Sequence, residues 1–236
     1  TKTYPSTAYA SNTYYDMTAN LNVRNYDGDH YYMWDAHQQY WYGYEWTKNL
    51  PGNTGQPTLN NGSSSNYAQN NSDSRWCHEG SGAFQATQSC DTLPNVNEMT
   101  WYAAKGEPRW DADELWTTMG HLYKGGMWFK KKAYINGYNS NTAVDGTNWR
   151  TNGKGNTWSA SQTLPSATDA GNYFYLPALG YYYSGQLNSV GLTGQYWLSS
   201  AYPRNSGYAY YLNFGSGYVY VDNALRGQGC RVGKFE

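Results

Sequence analysis

The sequence predicts an α+β fold with short antiparallel sheets, two short helices and many long loops. Aromatic residues make up 18% of the 236 residues and charged residues only 14%. Tyr and Trp favour strands, and the 26 glycines favour the turns between them. Long helices are disfavoured because residues of high helix propensity are scarce. The high aromatic content and low net charge also disfavour a disordered chain.

The first part of the chain is predicted to hold an arm, an aromatic segment and a long loop. Residues 1–20 are rich in Ser, Thr, Tyr and Asn, which predicts an N-terminal arm or a first edge strand. Residues 22–46 are dense in large rings, which predicts core packing. Residues 51–75 have a loop composition. We interpret them as an insertion in one domain spanning residues 21–236, because no separate core precedes them.

A first helix is predicted over residues 97–105. Asn95 or Asn97 can cap its N-terminus. Glu98 would lie near the positive end of the helix dipole, where a negative charge is favourable. Gly106 follows the segment, and glycine commonly ends helices.

A second helix is predicted over residues 111–123. Asp111 suits its N-cap, and further acidic residues follow in the first turn. Apolar side chains recur at helical spacing, which would place them on one face: Leu115, Met119 and Leu122. The pair Gly125 and Gly126 would end this helix.

Strands are predicted from residue 127 onward. Residues 127–129 and 133–135 are short apolar pieces that read as strands. Residues 173–176 (YFYL) predict a longer strand, and Pro177 ends it because proline cannot donate to a strand ladder.

The clearest pattern predicts a β-hairpin over residues 210–222, with its turn at residues 215–217 (GSG). Alternation with a period of two places Val219 and Val221 on one face of the second strand and Tyr218, Tyr220 and Asp222 on the other. We expect the valines to lie in the core and the other three side chains to be exposed.

The three cysteines are Cys77, Cys90 and Cys230. Cys77 and Cys90 flank a glycine-containing segment and could form a disulfide, which would leave Cys230 over. The composition favours an extracytoplasmic setting, in which disulfides persist. No metal site is predicted: His78 beside Cys77 lacks further ligands at zinc spacing. His30 and His37, with Asp29 and Asp35 nearby, match no common metal motif.

No catalytic residues and no cofactor are predicted. The sequence lacks a G-x-S-x-G elbow, a P-loop, a dinucleotide-binding G-x-G-x-x-G after a strand, and H-E-x-x-H. The acidic residues 111–114 could supply a carboxylate pair for glycoside cleavage, but helix capping explains them more simply. The net charge of −1 offers no basic field for nucleic acid. The sequence contains no run of 18 apolar residues, so no membrane insertion is predicted.

Three segments of the C-terminal half share a family pattern: residues 175–183 (YLPALGYYY), 187–200 (LNSVGLTGQYWLSS) and 209–232 (AYYLNFGSGYVYVDNALRGQGCRV). They resemble the C-terminal module of bacterial C-type-lectin-fold proteins. Two related groups are similar, namely the Fibrobacter-type paralogous domain, itself close in fold to formylglycine-generating enzymes, and the variable proteins of diversity-generating retroelements. The resemblance implies a C-type lectin fold with a variable ligand-binding region at about residues 180–232.

In the retroelement family, adenine-directed mutagenesis changes Asn-type codons and does not yield Lys, Glu, Gln, Trp or Met. Residues 198–227 contain none of these five types. The resemblance therefore implies the following set of variable, ligand-binding positions: Leu198, Ala201, Arg204, Tyr208, Tyr218, Tyr220, Asp222, Asn223, Ala224, Leu225 and Gly227. Tyr, Ser, Gly and Asn are also the residues that evolved paratopes favour, since Tyr gives a large contact area at little entropic cost.

These observations together predict a binding protein and not an enzyme. The first hypothesis is an adhesin or receptor-binding protein, displayed outside the cell, on the cell surface or on a phage particle, that binds a protein or glycan on another surface. The second is a carbohydrate-binding module that acts without calcium, because the Glu-Pro-Asn, Gln-Pro-Asp and Trp-Asn-Asp triplets of calcium-dependent relatives are absent. The third is an enzyme related to formylglycine generation, which would need a reactive cysteine pair where the sequence has Cys230 alone.

Overall fold

The structure is a computed structural model that describes residues 23–26, 30–47 and 66–236. The predicted arm at residues 1–20 and most of the predicted insertion, residues 51–65, lie outside these ranges. Residues 66–75 of that insertion form turns and bends. The described chain is mostly β-sheet with two short α-helices, as the predicted α+β class requires.

The strands in chain order are β1 (Arg24–Asn25), β2 (Tyr31–Tyr32), β3 (Arg109–Thr118), β4 (His121–Lys130), β5 (Asn156–Ser159), β6 (Tyr173–Pro177), β7 (Tyr181–Tyr183), β8 (Gln186–Asn188), β9 (Gly194–Ala201), β10 (Tyr208–Gly215), β11 (Tyr218–Leu225) and β12 (Cys230–Arg231). The α-helices are α1 (Val96–Lys105) and α2 (Trp149–Asn152). Single 3₁₀ turns form at Glu45–Thr47, Lys132–Tyr134 and Ala170–Asn172.

Three sheets organise these strands. The largest has the order β2-β12-β9-β10-β11-β5, a four-stranded sheet has the order β1-β3-β4-β6, and β7 pairs with β8 alone. The buried side chains form one aromatic-rich cluster, in which Trp34, Trp116 and Trp197 are fully enclosed. Large rings thus supply the apolar burial that the scarce aliphatic residues cannot. In the part of the chain that is described, none of the helices has the length and apolar character that crossing a bilayer requires.

Helix α1 confirms the first predicted helix and its capping residues. The Asn95 side chain accepts hydrogen bonds from the backbone N–H groups of Asn97 and Glu98. Glu98 accepts in return from the Asn95 backbone at 2.8 Å, which completes a capping box. Gly106 ends the helix, and its N–H donates to the carbonyls of Trp101 and Tyr102.

Replacing Asn95 with alanine is expected to lower the free energy of unfolding by about 1 kcal/mol, because two N–H groups of the first turn lose their acceptor. Urea denaturation measures this change. Asn95→Asp keeps a side-chain acceptor and serves as the control. An alanine variant as stable as the aspartate variant would contradict the role of the cap.

The second predicted helix, residues 111–123, is wrong: this segment is a β-hairpin made of β3 and the start of β4. Its two-residue loop is Met119-Gly120, and both residues have positive φ, 49° and 75°. This backbone matches the right-handed twist of paired strands. Leu115 and Leu122, predicted to share one face of a helix, lie on two paired strands and are 40% and 53% exposed. Their helical spacing is therefore coincidental.

Asp111 also has a different role from the predicted helix cap. The ladder between β3 and β4 shifts register between Asp111 and Leu115. In this irregular stretch Asp111 Oδ1 accepts from the N–H groups of Asp113 and Glu114, both at 3.0 Å. Its Oδ2 accepts from Trp128 Nε1 at 3.0 Å. The side chain thus satisfies backbone donors that the bulge leaves unpaired.

Of the four remaining strand predictions, three are confirmed and one is wrong. Residues 127–129 lie in β4 and residues 173–176 lie in β6, which ends at Pro177, so both are confirmed. Residues 133–135 are not a strand, because the chain makes a 3₁₀ turn at Lys132–Tyr134. The predicted hairpin is confirmed as β10 and β11, which pair from Tyr208 with Leu225 to Gly215 with Tyr218.

Candidate ligand-binding surface

Strands β10 and β11 together present a polar aromatic surface, which we call the tyrosine face: Tyr211 and Asn213 on β10, and Tyr218, Tyr220 and Asp222 on β11. Opposite residues of paired strands share a face, and the register pairs Tyr211 with Asp222 and Asn213 with Tyr220. The other face of β11 packs into the core, where Val219 and Val221 are fully buried. The valines and tyrosines thus lie on the predicted sides, but of the three side chains expected to be exposed only Tyr218 is, since Tyr220 and Asp222 are half-buried.

Hydrogen bonds hold the exposed rings of the tyrosine face. Tyr218 is 38% exposed, and its hydroxyl donates to Asn213 Oδ1 at 3.1 Å. The Tyr220 hydroxyl donates to Asp222 Oδ2 at 2.5 Å, and this bond together with partial burial raises the pKa of Tyr220 to about 12. The Tyr211 and Tyr220 rings meet edge to face at 6.2 Å. The rings therefore have defined positions before any ligand arrives.

Asp222 has room for its carboxylate because the adjoining edge strand begins with a glycine. Gly155 lies opposite Asp222, directly before β5, and any Cβ at residue 155 would collide with the Asp222 carboxylate. Asn223, half-buried, donates from its own backbone N–H to Asp222 Oδ1 at 2.8 Å. Asp222 is thus fixed by its neighbours while it stays on the outer face of the sheet.

A cleft of about 870 Å³ lies at the other end of β11, beyond the tyrosine face. Its lining includes Trp76, Glu79, Tyr183, Leu225 and Gly227. Trp76 Nε1 donates to Glu79 Oε1 at 2.6 Å, which fixes the indole ring. Tyr183 and Leu225 are 49% and 40% exposed. The cleft therefore combines accessible rings with polar groups, as small-ligand sites commonly do.

Asp35 anchors the backbone of residues 87–90, which do not line the cleft, and it is linked to the cleft only through His78, the chain neighbour of the lining residues Cys77 and Glu79. Its carboxylate is fully buried and accepts from the backbone N–H groups of Thr87, Gln88 and Cys90 at 2.8–3.0 Å. It also contacts His78 Nδ1 at 2.7 Å. The backbone of Asp35 is left-handed, with φ of 51°. In the sequence Asp35 was grouped only with a metal-like cluster, whereas in the structure its carboxylate holds the backbone of residues 87–90.

Arg226 is a buried anchor in the cleft wall, and it was not among the predicted site residues. It is 1% exposed and lines the cleft. Its guanidinium donates to three backbone carbonyls, those of Tyr208, His78 and Gly80. It lies 4.6 Å from the Trp34 ring centroid and 5.0 Å from that of Phe84. Burial lowers the pKa of Arg226, although an arginine remains charged at neutral pH.

Three of the predicted ligand-binding residues belong to the core and cannot contact a ligand at the surface. Leu198 is fully buried, Ala201 is 1% exposed and Ala224 is 7% exposed. Leu198 and Ala201 lie on β9, a strand buried along its whole length between β10 and β12. Their assignment as ligand-binding residues is therefore wrong.

The other eight predicted residues are spread over the tyrosine face, the cleft, strand β10 and the loop after β9. Tyr218, Tyr220, Asp222 and Asn223 form or adjoin the tyrosine face, and Leu225 and Gly227 line the cleft. Tyr208 pairs with Leu225 and is half-buried. Arg204 is exposed on the loop after β9, where its guanidinium donates to the carbonyl of Asn152. These residues lie on or beside β11, apart from Arg204.

The possible disulfide between Cys77 and Cys90 does not form. All three cysteines are free and buried. Cys77 lines the cleft, whereas Cys90 Sγ accepts from the Asp35 backbone N–H at 3.3 Å. Burial raises the pKa of Cys77 to about 12 and also raises the pKa of the Cys90 and Cys230 thiols. At neutral pH these thiols are therefore protonated.

Among the residues that the structure describes, no three His, Cys, Asp or Glu side chains are arranged to hold a metal ion. Asp29 of the metal-like cluster lies outside those residues. His78, considered earlier beside Cys77, contacts Asp35 instead. In comparisons with family models, curated proteins and solved structures, no match to this chain was found.

Proposed function

We propose that the protein is a ligand-binding surface protein, an adhesin or receptor-binding protein with a C-type lectin fold. Its recognition surface is the tyrosine face together with the adjoining end of β11. The observation that carries this proposal is the division of β11: fully buried valines on one side, and on the other the exposed Tyr218 and the half-buried Tyr220, both held by hydrogen bonds. Rigid aromatic side chains on a sheet suit a protein partner, since they bury area at little entropic cost.

The proposal includes diversification of this surface by a retroelement and display outside the cell, on a bacterium or a phage. Surface positions such as Tyr218, Tyr220 and Asp222 can change without disturbing the valines beneath them. The genomic test is direct. A neighbouring reverse transcriptase and a near-identical template copy of residues ~180–232, differing at adenines, would support diversification, and a unique sequence without such a template would contradict it.

Replacing Tyr218 and Tyr220 together with alanine is expected to reduce binding to partner proteins at least tenfold. The melting temperature should fall by only a few degrees, because Tyr218 is exposed and Tyr220 is only partly buried at the edge of the core. The measurement uses labelled protein on an array of extracellular proteins and on intact cells. Tyr134→Ala, at a 52% exposed position on a 3₁₀ turn, is the matched control and should bind normally.

Two results would contradict the proposed role of the tyrosine face. If the double variant unfolds, the two rings support the core and do not serve recognition. If it folds and binds its partners like the control variant, binding takes place elsewhere on the molecule.

A second candidate function is calcium-independent carbohydrate binding, and the cleft favours it. Carbohydrate sites combine aromatic rings with hydrogen-bonding groups, and the cleft offers Trp76 and Tyr183 beside Ser206 and Gln228. Tyr67 extends this lining, and its hydroxyl donates to the Gly227 carbonyl at 3.3 Å. A glycan array, read with calcium and with a chelator, tests this candidate.

The proposed function is non-catalytic, and the state of the thiols supports this. An enzyme of the formylglycine-generating type needs accessible, activated cysteines. Here Cys230 is completely buried with its pKa raised well above the ordinary value, and its thiol contacts Gln195 Oε1 at 3.6 Å. A thiol titration of the folded protein should find Cys230 unreactive, and rapid labelling of Cys230 would contradict this proposal.

A further inference from the structure

The cleft wall contains a positive charge that none of the described carboxylates neutralises. Arg226 forms no salt bridge in that part of the chain: its guanidinium donates to three carbonyl oxygens and lies over the Trp34 and Phe84 rings, and Glu79 attracts it only at longer range. Its Nη2 atom is buried and has no hydrogen-bond partner. Buried guanidinium groups in proteins are normally paired, because desolvating an unpaired charge is costly. Arg226 is thus incompletely satisfied.

The nearest carboxylate in the cleft is engaged elsewhere. Glu79 accepts from Trp76 Nε1 through one oxygen and from Asn71 Nδ2 at 2.8 Å through the other. These bonds hold Glu79 on the indole side of the cleft and leave it without an ion pair to Arg226. A buried charge in a low-dielectric wall projects its field into the adjoining space. The field of Arg226 therefore favours an anionic group inside the cleft.

The other side chains of the cleft indicate which class of ligand bears the anionic group. Trp76 and Tyr183 offer ring surfaces, Ser81, Ser184 and Ser206 offer hydroxyls, and the volume of about 870 Å³ accommodates several linked sugar rings. A flexible acidic peptide would use backbone partners and apolar pockets, which this lining provides less well. The combination of rings, hydroxyls and one uncompensated cation suits an acidic sugar.

We infer that the cleft binds an acidic saccharide, with a carboxylate attracted by Arg226 and the sugar rings packed against Trp76 and Tyr183. This inference rests on the second candidate function, carbohydrate binding, and deepens it. It is independent of protein binding by the tyrosine face. Because Arg226 is 1% exposed, it attracts the carboxylate through the field of its charge across the cleft wall and not through a direct hydrogen bond.

The test compares each acidic saccharide with its own methyl ester, which keeps the rings and hydroxyls and removes the charge. Isothermal titration calorimetry of the wild-type chain with sialyl-lactose and with tri-galacturonate, each as acid and as ester, gives the four affinities. We expect at least one acid to bind about tenfold more tightly than its ester, because only the acid carries the charge that the field of Arg226 attracts. The comparison of acid with ester uses the unaltered protein, so it does not depend on the folding of any variant.

Two variants locate the site. Gly227→Trp fills the cleft, and a Cβ at residue 227 meets only the Tyr67 hydroxyl at 3.7 Å, so folding should be preserved. We expect it to abolish acid binding. Gly171→Trp, where an added Cβ meets no atom within 4 Å, is the matched control and should bind normally.

A third variant tests the charge. Glu79→Gln removes the competing negative charge and should tighten acid binding a few-fold without changing ester binding.

Each remaining outcome overturns a defined part of the inference. If acid and ester bind equally, the charge of Arg226 does not select the ligand, although carbohydrate binding stands. If Gly227→Trp and Gly171→Trp both bind the acid like wild type, the site is not the cleft. If neither acid binds at millimolar concentration, the inference fails altogether. None of these results bears on the tyrosine face, which Tyr218→Ala/Tyr220→Ala tests separately.

Discussion

Replacing Asp35 with alanine is expected to lower the free energy of unfolding by about 3 kcal/mol, because backbone N–H groups of three residues lose a charged acceptor. These donors are the backbone N–H groups of Thr87, Gln88 and Cys90, which lie outside the cleft lining. The contact with His78 is lost as well. Chemical denaturation monitored by tryptophan fluorescence measures the change, since Trp34 adjoins Asp35 in the core.

Asp35→Gly separates the two effects of this substitution. Glycine removes the same carboxylate but adopts the left-handed backbone of residue 35 without strain. We expect the glycine variant to be about 1 kcal/mol more stable than the alanine variant, given the cost of φ near 51° for a residue with a Cβ. An alanine variant within 1 kcal/mol of wild type would mean that water replaces the carboxylate easily and that Asp35 is not an anchor.

Replacing Leu198 with alanine is expected to cost about 2–5 kcal/mol, because the side chain is fully buried on β9 and its removal leaves a cavity. Leu225→Ala is the matched control. It removes the same atoms from a side chain that is 40% exposed at the cleft, and it should change stability by about 0.5 kcal/mol. Parallel urea titrations measure both.

This pair of variants also separates residues that can vary from residues that cannot. A position that is diversified must accept many side chains without unfolding the protein. Leu225 meets that condition and Leu198 does not, although both have codon-compatible residue types. Equal destabilisation by the two substitutions would contradict the division between cleft and core.

The elements that could be predicted from sequence have their determinants close together in the chain. The hairpin of β10 and β11 follows from strict alternation around a glycine-rich turn, and α1 follows from Asn95, Glu98 and Gly106. Residues 111–123 were predicted wrongly because Leu115, Met119 and Leu122 have helical spacing by coincidence. The hairpin there needs a positive φ at Met119. A methionine disfavours that conformation, so the sequence does not indicate the turn.

The candidate site could be predicted only where it follows the hairpin. The shared outward side of Tyr218 and Tyr220 follows from the period of two, although Tyr220 is half-buried there, and their hydroxyl partners are close in sequence. The cleft could not be predicted, because Arg226 meets the carbonyls of His78 and Gly80, which lie almost 150 residues earlier. Residue type marks such an arginine as a surface charge, and only tertiary structure shows it to be buried.

The position of β12 has a consequence for how the chain acquires its structure. This strand lies between β2 and β9, and it pairs Cys230 with Tyr32 across nearly the whole described sequence. Closing so long a loop is entropically costly, and topologies with distant pairings fold slowly. During synthesis, β2 has no β12 to pair with until residue 230 has left the ribosome. The large sheet is therefore completed only after this segment has been translated, and until then its aromatic strands are exposed to aggregation.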